Sequence, residues 1–366
     1  MKVFQVLRDC QIIVGSDIIE TFKEGKFYIT SDEYFQKLSM FIGGAIGLEI
    51  PFKEIYNKYE GQNLNGKKLF AMRHGGGGDI LFMITALREL KRRYEDSQIG
   101  IAIRNQYNAL VPRDDLIYKF HSIPIPLEEW NDYHYHITFE NLIENNPDAR
   151  KYNAYDLFMK QVGLDIKEVL PENKIPHIKL EENERRFKYM EFPHLVNGRP
   201  KVGIQIKTSS PIRTYPPYNY IKIGQRLVEK GYDICFFGGE GENILAERLI
   251  KEIGIGSYNI TQSSLRGSIV TASMMNYFIA PDSMFIHIAG AFNIPVIGIY
   301  GPFHSETRMK YLKNSVGIDM EVGCSPCYLH GHQSCPKGDL SPCFSIVTPE
   351  IVLEAFNKLE ENINGH

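Results

Sequence analysis

Apolar and polar positions along this chain change period in a repeating way. Residues 68–73 form a short, mostly apolar run of the kind that makes a buried strand. A glycine-rich break at residues 74–78 follows. Asp79 then opens a stretch in which Met83, Leu87, Leu90 and Tyr94 recur at helical spacing. Residues 99–104 return to a strand-like run. Strand, turn, helix, strand is the rhythm of a doubly wound parallel sheet. A second series starts beyond the turn-rich segment 192–200. Strands are predicted at 201–206, 233–237 and 277–280, and helices at 218–230, 243–253 and 265–272. Residues 349–361 predict a last helix. The fold class read from this pattern is α/β, with two Rossmann-like halves.

Residues 1–66 follow a different rhythm. Strand runs at 11–14 and 26–29 precede a capping-box spacing at 30–33, ahead of a helical stretch at 34–42. A Gly- and Asn-rich connector closes the segment at 60–66. The expected plan is therefore an N-terminal extension (1–66) and a first Rossmann-like domain (67–196). A second such domain (197–348) would carry a cysteine-rich loop (324–343), followed by a C-terminal helix (349–366).

Composition narrows the class. Of 366 residues, 43% are hydrophobic and 23% charged, the balance of an ordinary globular protein. A net charge of -3 gives no basic footprint for nucleic acid. No apolar run reaches the roughly 18 residues that span a bilayer. The first ten residues lack the apolar core of a signal peptide. A cytoplasmic protein is expected, with peripheral membrane association and oligomerisation both compatible with the sequence. Six cysteines are too few for a disulfide scaffold, yet four lie within residues 324–343.

Four segments carry candidate chemistry. In residues 280–302, Asp282 and Ser283 are good N-cap types ahead of a short helix with His287 one turn on, and a buried strand follows. A helix N-terminus beside strand ends is a natural phosphate site. In residues 74–79, four glycines including Gly77 and Gly78 could let amides converge on an anion; a tight turn with Asp79 as N-cap is the plainer reading. After the first strand of the second series come Lys207, Thr208 and Arg213, hydroxyls and cations suited to a diphosphate, or simply a solvated loop. Gly239 and Glu240 end another strand, where a carboxylate could accept from ribose hydroxyls, or a plain glycine turn could stand. No Asp-x-Asp motif is present to hold a diphosphate through a divalent ion, so no catalytic metal is expected. Cys324, Cys327, Cys335 and Cys343, with His330 and His332 among them, have spacings that could hold structural zinc or iron, or could pack as reduced thiols.

These segments resemble the ADP-heptose:LPS heptosyltransferase family, glycosyltransferase family 9. Asp282-Ser283-Met284-Phe285-Ile286-His287 is similar to the family's D-[ST]-G-x-x-H pattern, which is followed by an apolar strand and Gly-Pro. Met284 stands where the family has glycine, so the expected diphosphate contact rests on Ser283 and the next free amide. Gly78-Asp79 with its apolar helix resembles the family's Gly-Asp junction, with Thr85 replacing a proline. Arg213 before Tyr215-Pro216 matches a family cation before an aromatic-proline pair. The cysteines resemble a C-x-P-C…C-P…C tail, which a subset modifying autotransporter proteins uses for an iron-bearing finger.

The resemblance implies GT-B architecture, two domains facing across a cleft. It implies inverting transfer from a nucleotide-diphospho-sugar, ADP-heptose by family, to a glycan, a lipopolysaccharide core or a protein. Asp79 would be the general base. Gly77, Gly78, Lys207, Thr208, Arg213, Gly239, Glu240, Asp282, Ser283, Met284 and His287 would serve the donor. A sugar-nucleotide epimerase on the same scaffold, and a non-catalytic glycan-binding or scaffold protein, are the alternatives.

Overall fold

The computed structural model describes residues 1–14, 17–144, 146–328, 334–338 and 341–365. The chain forms two compact units, Met1–Asn141 with Phe158–Glu168, and Leu142–Leu157 with Val169–His366.

The first unit opens with β1 (Lys2–Val6), a hairpin of β2 (Cys10–Val14) and β3 (Asp17–Phe22), β4 (Phe27–Thr30), α1 (Asp32–Ile42) and β5 (Ile46–Ile50). Then come β6 (Lys68–Arg73), α2 (Gly77–Arg93), β7 (Gln98–Ile103), β8 (Lys119–Ser122), β9 (Ile125–Pro126), α3 (Leu127–Asn131) and β10 (Tyr135–Thr138). Strands β10, β6, β7 and β8 lie in that order in a parallel sheet. The interiors of β6 and β7 are buried, which is why they read as continuous apolar runs rather than alternating ones. Met83, Leu87 and Leu90 of α2 are buried at the expected spacing. The cap of α1 is Ser31, whose hydroxyl accepts from Tyr34 N at 3.2 Å, one residue inside the expected box.

Residues 1–66 are not an appendage. Strands β5, β1, β4 and β9 make one antiparallel sheet, in which Tyr28 pairs with Pro126 and Ile29 with Ile125. Val3 and Ile29 share a core cluster with Phe70, Met72, Ile123, Ile125 and Trp130. The Trp130 indole N–H donates to Ile55 O at 2.9 Å. Burying a large apolar side chain stabilises by roughly 1.5–3 kcal/mol. Removing this segment would uncover several such side chains at once, so it is part of the first unit's core.

The second unit contains the start of α4 (Ala154–Gln161), then α5 (Glu182–Glu191), β11 (Lys201–Gln205), α6 (Asn219–Glu229), β12 (Asp233–Phe237), α7 (Asn243–Ile253), β13 (Ser257–Asn259), α8 (Leu265–Ala272) and β14 (Tyr277–Pro281). It ends with α9 (Met284–Ala291), β15 (Val296–Tyr300), α10 (Glu306–Met309), β16 (Ser315–Asp319), α11 (Pro342–Ser345) and α12 (Pro349–Asn364). Its six strands are all parallel, in the order β13-β12-β11-β14-β15-β16. Val352, Phe356 and Leu359 of α12 bury into the cluster built on β11, β12 and α6, so the last helix belongs to this core.

The division differs from a single cut after residue 196. Residues 142–157 and 169–196 group with the second unit. Side-chain pairing gives one reason: Arg266 of α8 grips Glu184 of α5 through two N–H···O bonds of 2.7 Å each.

Strand order locates the ligand sites. The second unit's chain starts at β11, runs outward through β12 and β13, then returns to β14 on the other side. The order reverses between β11 and β14. In the first unit it reverses in the same way between β6 and β10. Ligands of open α/β sheets bind beyond the carboxyl ends of the strands at such reversals. Among the described residues no helix is long and apolar enough to cross a membrane.

Candidate active site

At the first reversal, the loop after β6 meets the loop after β10. Arg73, the last residue of β6, is buried. Its Nη1 donates to Phe139 O at 2.7 Å and its Nη2 to Asp79 Oδ2 at 2.8 Å. His74 N donates to Glu140 Oε1 at 2.6 Å. The His74 ring lies 3.2 Å from Thr30 Oγ1 on β4. Burial works to raise the Glu140 carboxyl; the hydrogen bond and charge of His74, with Arg73, outweigh it, and the group sits below its ordinary value.

Asp79 is not the cap of α2. The helix begins at Gly77, Gly76 holds the N-cap position, and Asp79 lies within the first turn. A carboxylate there is favoured by the helix dipole. Gly77 and Gly78 are the first two residues of α2, so their amides belong to the free N–H groups of the helix start. The glycine that the geometry demands is Gly75. A Cβ there would lie 2.2 Å from Arg73 Nε and 2.6 Å from Asp79 Oδ2.

At the second reversal, the loop after β11 meets the start of α9. Arg213 Nη1 donates to Asp282 O at 3.2 Å and lies 3.4 Å from Asp282 Oδ2. Its Nη2 donates to Ser209 Oγ at 3.1 Å. Arg308 of α10 approaches the other carboxylate oxygen, with Nε 3.7 Å from Asp282 Oδ1. Burial pushes the Asp282 carboxyl up, but Arg308 and Arg213 more than offset it and hold the group below its ordinary value. Asp282 thus serves as the anchor of two guanidiniums rather than as a cap.

Ser283 occupies the N-cap position of α9 but its side chain caps nothing. Its Oγ is buried with no hydrogen-bond partner. Met284 is the first residue of the helix and is half-buried. His287 is buried, and its Nδ1 lies 2.9 Å from Tyr155 Oη. Two arginines against one aspartate leave one positive charge beside a free helix N-terminus and an unsatisfied hydroxyl, an arrangement made to receive an anion.

Residues 152–336, just over half of the chain, match the model of glycosyltransferase family 9 (heptosyltransferase). This chain belongs to glycosyltransferase family 9. The matched region contains the whole Arg213–Asp282–Arg308 cluster. Lipooligosaccharide heptosyltransferase 2 of Haemophilus ducreyi is 26% identical over 296 residues, 73% of this chain and 81% of that protein. Solved structures share the α/β fold. E. coli ADP-heptose LPS heptosyltransferase II superposes with a TM-score of 0.59 at 17% identity, over 80% of this chain and 98% of that one. TibC of enterotoxigenic E. coli, described as a dodecameric iron-containing heptosyltransferase in complex with ADP-D-beta-D-heptose, gives 0.59 at 16% identity, over 99% of this chain and 92% of that one. Family 9 enzymes transfer sugars, which favours the transferase reading over an epimerase or a non-catalytic scaffold.

The remaining candidates of this family 9 chain divide into two kinds. Lys207 makes no ion pair among the described residues, and Glu240 is exposed at the end of β12's loop. Thr208 is spent on its own loop: its hydroxyl donates to Ser210 O at 2.6 Å. Gly239 N donates to Glu242 Oε2 at 2.7 Å, so Glu242 closes that turn. The cysteines are free thiols, Cys343 buried and the other three half-buried. Burial, with Cys327 and Cys335 nearby, pushes the Cys343 thiol up to about 11. Among the described residues no group of three or more Cys, His, Asp or Glu is gathered closely enough to hold a metal ion, so the expected cage is not formed in this arrangement. His330 and His332 lie outside the described residues.

Arg73, Glu140 and Arg308 escaped the sequence reading. Arg73 had one legible signal, a cation ending an otherwise apolar strand. Arg308 had none beyond following the Gly-Pro at the end of β15.

Proposed function

We propose that this family 9 enzyme transfers heptose from ADP-heptose, with inversion, to a glycan, lipopolysaccharide-core or protein acceptor. One observation carries the reading: two guanidiniums held by the buried Asp282, next to the free amides of α9 and the unpartnered Ser283 hydroxyl. A departing nucleoside diphosphate gains negative charge as its bond to the anomeric carbon breaks. A preorganised positive site stabilises that charge most when it is greatest. Lys207 would add a third cation, and Glu240 would accept from the ribose hydroxyls.

Asp79 would take the proton of the acceptor hydroxyl as its oxygen attacks the anomeric carbon from the face opposite the diphosphate. The glycosidic C–O bond forms, the C–O bond to the diphosphate breaks, and ADP leaves with its electron pair. Arg73 holds Oδ2, and Oδ1 takes no hydrogen bond from the described residues. A fixed carboxylate with one open oxygen is suited to general base work.

Incubation with ADP-heptose and a candidate acceptor, followed by product analysis, tests the reading. A glycosylated acceptor of inverted anomeric configuration is expected. An epimerised donor formed without acceptor would establish the epimerase instead, and a chain that neither binds nor turns over donor would be a scaffold.

The proposal extends to a cytoplasmic location, where a soluble nucleotide-sugar donor is at hand, and to an oligomer, because TibC is described as dodecameric. A structural iron or zinc on Cys324, Cys327, Cys335 and Cys343 is also proposed, after TibC, described as iron-containing. Such a metal would require the four sulfurs to converge on it, and elemental analysis decides. About one equivalent per chain is expected, and none would leave the thiols simply packed.

A further inference from the structure

The second unit has a cavity of about 240 Å³ that none of the residues discussed so far explains. In liquid terms that is about eight waters, room for one sugar ring. Arg150, Lys151, Tyr152, His304, Lys310 and Tyr328 contribute to its lining, together with Glu306. Three permanent cations, Arg150, Lys151 and Lys310, against one carboxylate leave an excess of two positive charges. Two tyrosines among cations and hydrogen-bonding groups are the lining a pyranose prefers: an apolar face for its C–H groups, polar groups for its hydroxyls, and cations for an anionic substituent.

The cavity has a fixed frame. Asn153 is buried, and its Nδ2 donates to Glu306 O at 2.8 Å, tying segment 150–153 to α10. Tyr328 N donates to Pro302 O at 2.8 Å, and its ring meets Phe303 edge-on at 5.8 Å. Arg150 lies over the Tyr328 ring, 5.4 Å from its centroid. Tyr328 holds a left-handed backbone with φ of 54°, a conformation that costs a non-glycine residue energy and that concentrates at binding sites.

Both walls also connect to the diphosphate cluster. α10 lines the cavity with Glu306 and sends Arg308 to Asp282. The 150–153 segment runs directly into Tyr155, which is hydrogen-bonded to His287 of α9. A ligand here would therefore sit beside the proposed leaving group without using any residue assigned to it.

We propose that this cavity is a subsite for an anionic sugar, one bearing a phosphate or a carboxylate, and that it receives part of the acceptor. This rests on the transferase reading for the word acceptor, but the binding itself does not.

Calorimetric titration of the full chain with glucose 6-phosphate, glucuronate, glucose and ADP tests it. Glucose 6-phosphate, glucuronate or both should bind, identifying phosphate or carboxylate as the anion read, while glucose should bind at least tenfold more weakly. Arg150→Ala with Lys310→Ala, both exposed positions, should weaken the anionic sugar at least tenfold, the loss of one or more charge-assisted contacts. The same variant should bind ADP as the wild type does. Unchanged sugar-phosphate and sugar-acid binding in the variant, or no binding of either probe to the wild type, overturns the subsite. So does competitive displacement of the sugar by ADP, which would make the cavity part of the donor site. Loss of ADP binding by the wild type would instead count against the transferase reading.

Discussion

Replacing Arg213 by alanine separates a diphosphate ligand from a structural pair. Arg213 is about a quarter exposed, at 27%, while Asp282 is buried. Breaking a fully buried ion pair costs about 3–5 kcal/mol. Here water reaches one partner and Arg308 still faces Asp282, so the expected loss is nearer about 1 kcal/mol, or about 2–4 °C in Tm. Donor affinity should suffer more. A charge-assisted hydrogen bond to phosphate contributes about 1.5–3 kcal/mol, so the Kd for ADP should rise roughly 10- to 150-fold. Arg213→Lys keeps the charge but loses the planar fork, and should recover part of that affinity. Calorimetry with ADP and a thermal melt read the two effects independently. The acid limb gives a third reading. Asp282 is held below its ordinary value, so its stabilisation is present above that value and is lost as pH falls below it, through the lower folded one. In Arg213→Ala the depression shrinks, so the loss should be smaller and complete at a higher pH. ADP affinity within twofold of wild type, with Tm lowered as expected, would refute the ligand role and leave Arg213 a strut.

Gly75→Ala should cut turnover at least tenfold, because its Cβ would collide with Arg73 and Asp79, whereas Gly76→Ala should be tolerated, having nothing within 4 Å. Equal activity of the two variants would mean that the Arg73–Asp79 pair does not matter to the reaction. Glu20 predicts a pH-dependent docking of the β2–β3 hairpin. Burial pushes its carboxyl up to about 7, partly opposed by the hydrogen bond that Tyr34 of α1 donates to it. The raised value means that its stabilisation is complete at low pH and is lost as pH rises through about 7. Hydrogen exchange in the hairpin should therefore be faster at pH 8 than expected from intrinsic chemistry alone, and Glu20→Gln should remove the excess. An excess that survives Glu20→Gln would assign it to another group.

The regular elements were legible because period and burial coincide in them. Strands at 68–73 and 233–237 and helices at 243–253 and 265–272 stand where the pattern puts them. What the pattern misses is partnership across long separations. The first 66 residues read as separate because Tyr28 and Ile29 find their strand partners at Pro126 and Ile125, and Val3 its core at Phe70 and Trp130. No local period encodes such pairing. The site shows the same limit. Arg213 and Asp282 were both candidates from their segments, and the sheet order brings them together. Capping differs in detail from the pattern: α2 starts two residues before Asp79, and Ser283 holds the N-cap position of α9 but leaves its hydroxyl unused. Arg73 and Arg308 were missed because a cation that anchors a carboxylate carries no spacing signature. Its role exists only once the fold supplies the carboxylate.

The central claim is that Asp79 removes the acceptor proton while the second unit holds the donor. The most direct measurement is turnover of ADP-heptose by Asp79→Asn, with ADP affinity and Tm measured on the same preparation. The account predicts a fall in kcat of about 10²- to 10⁴-fold, the usual worth of a positioned base, with the Kd for ADP unchanged. A folded Asp79→Asn variant that turns over at nearly the wild-type rate would contradict it.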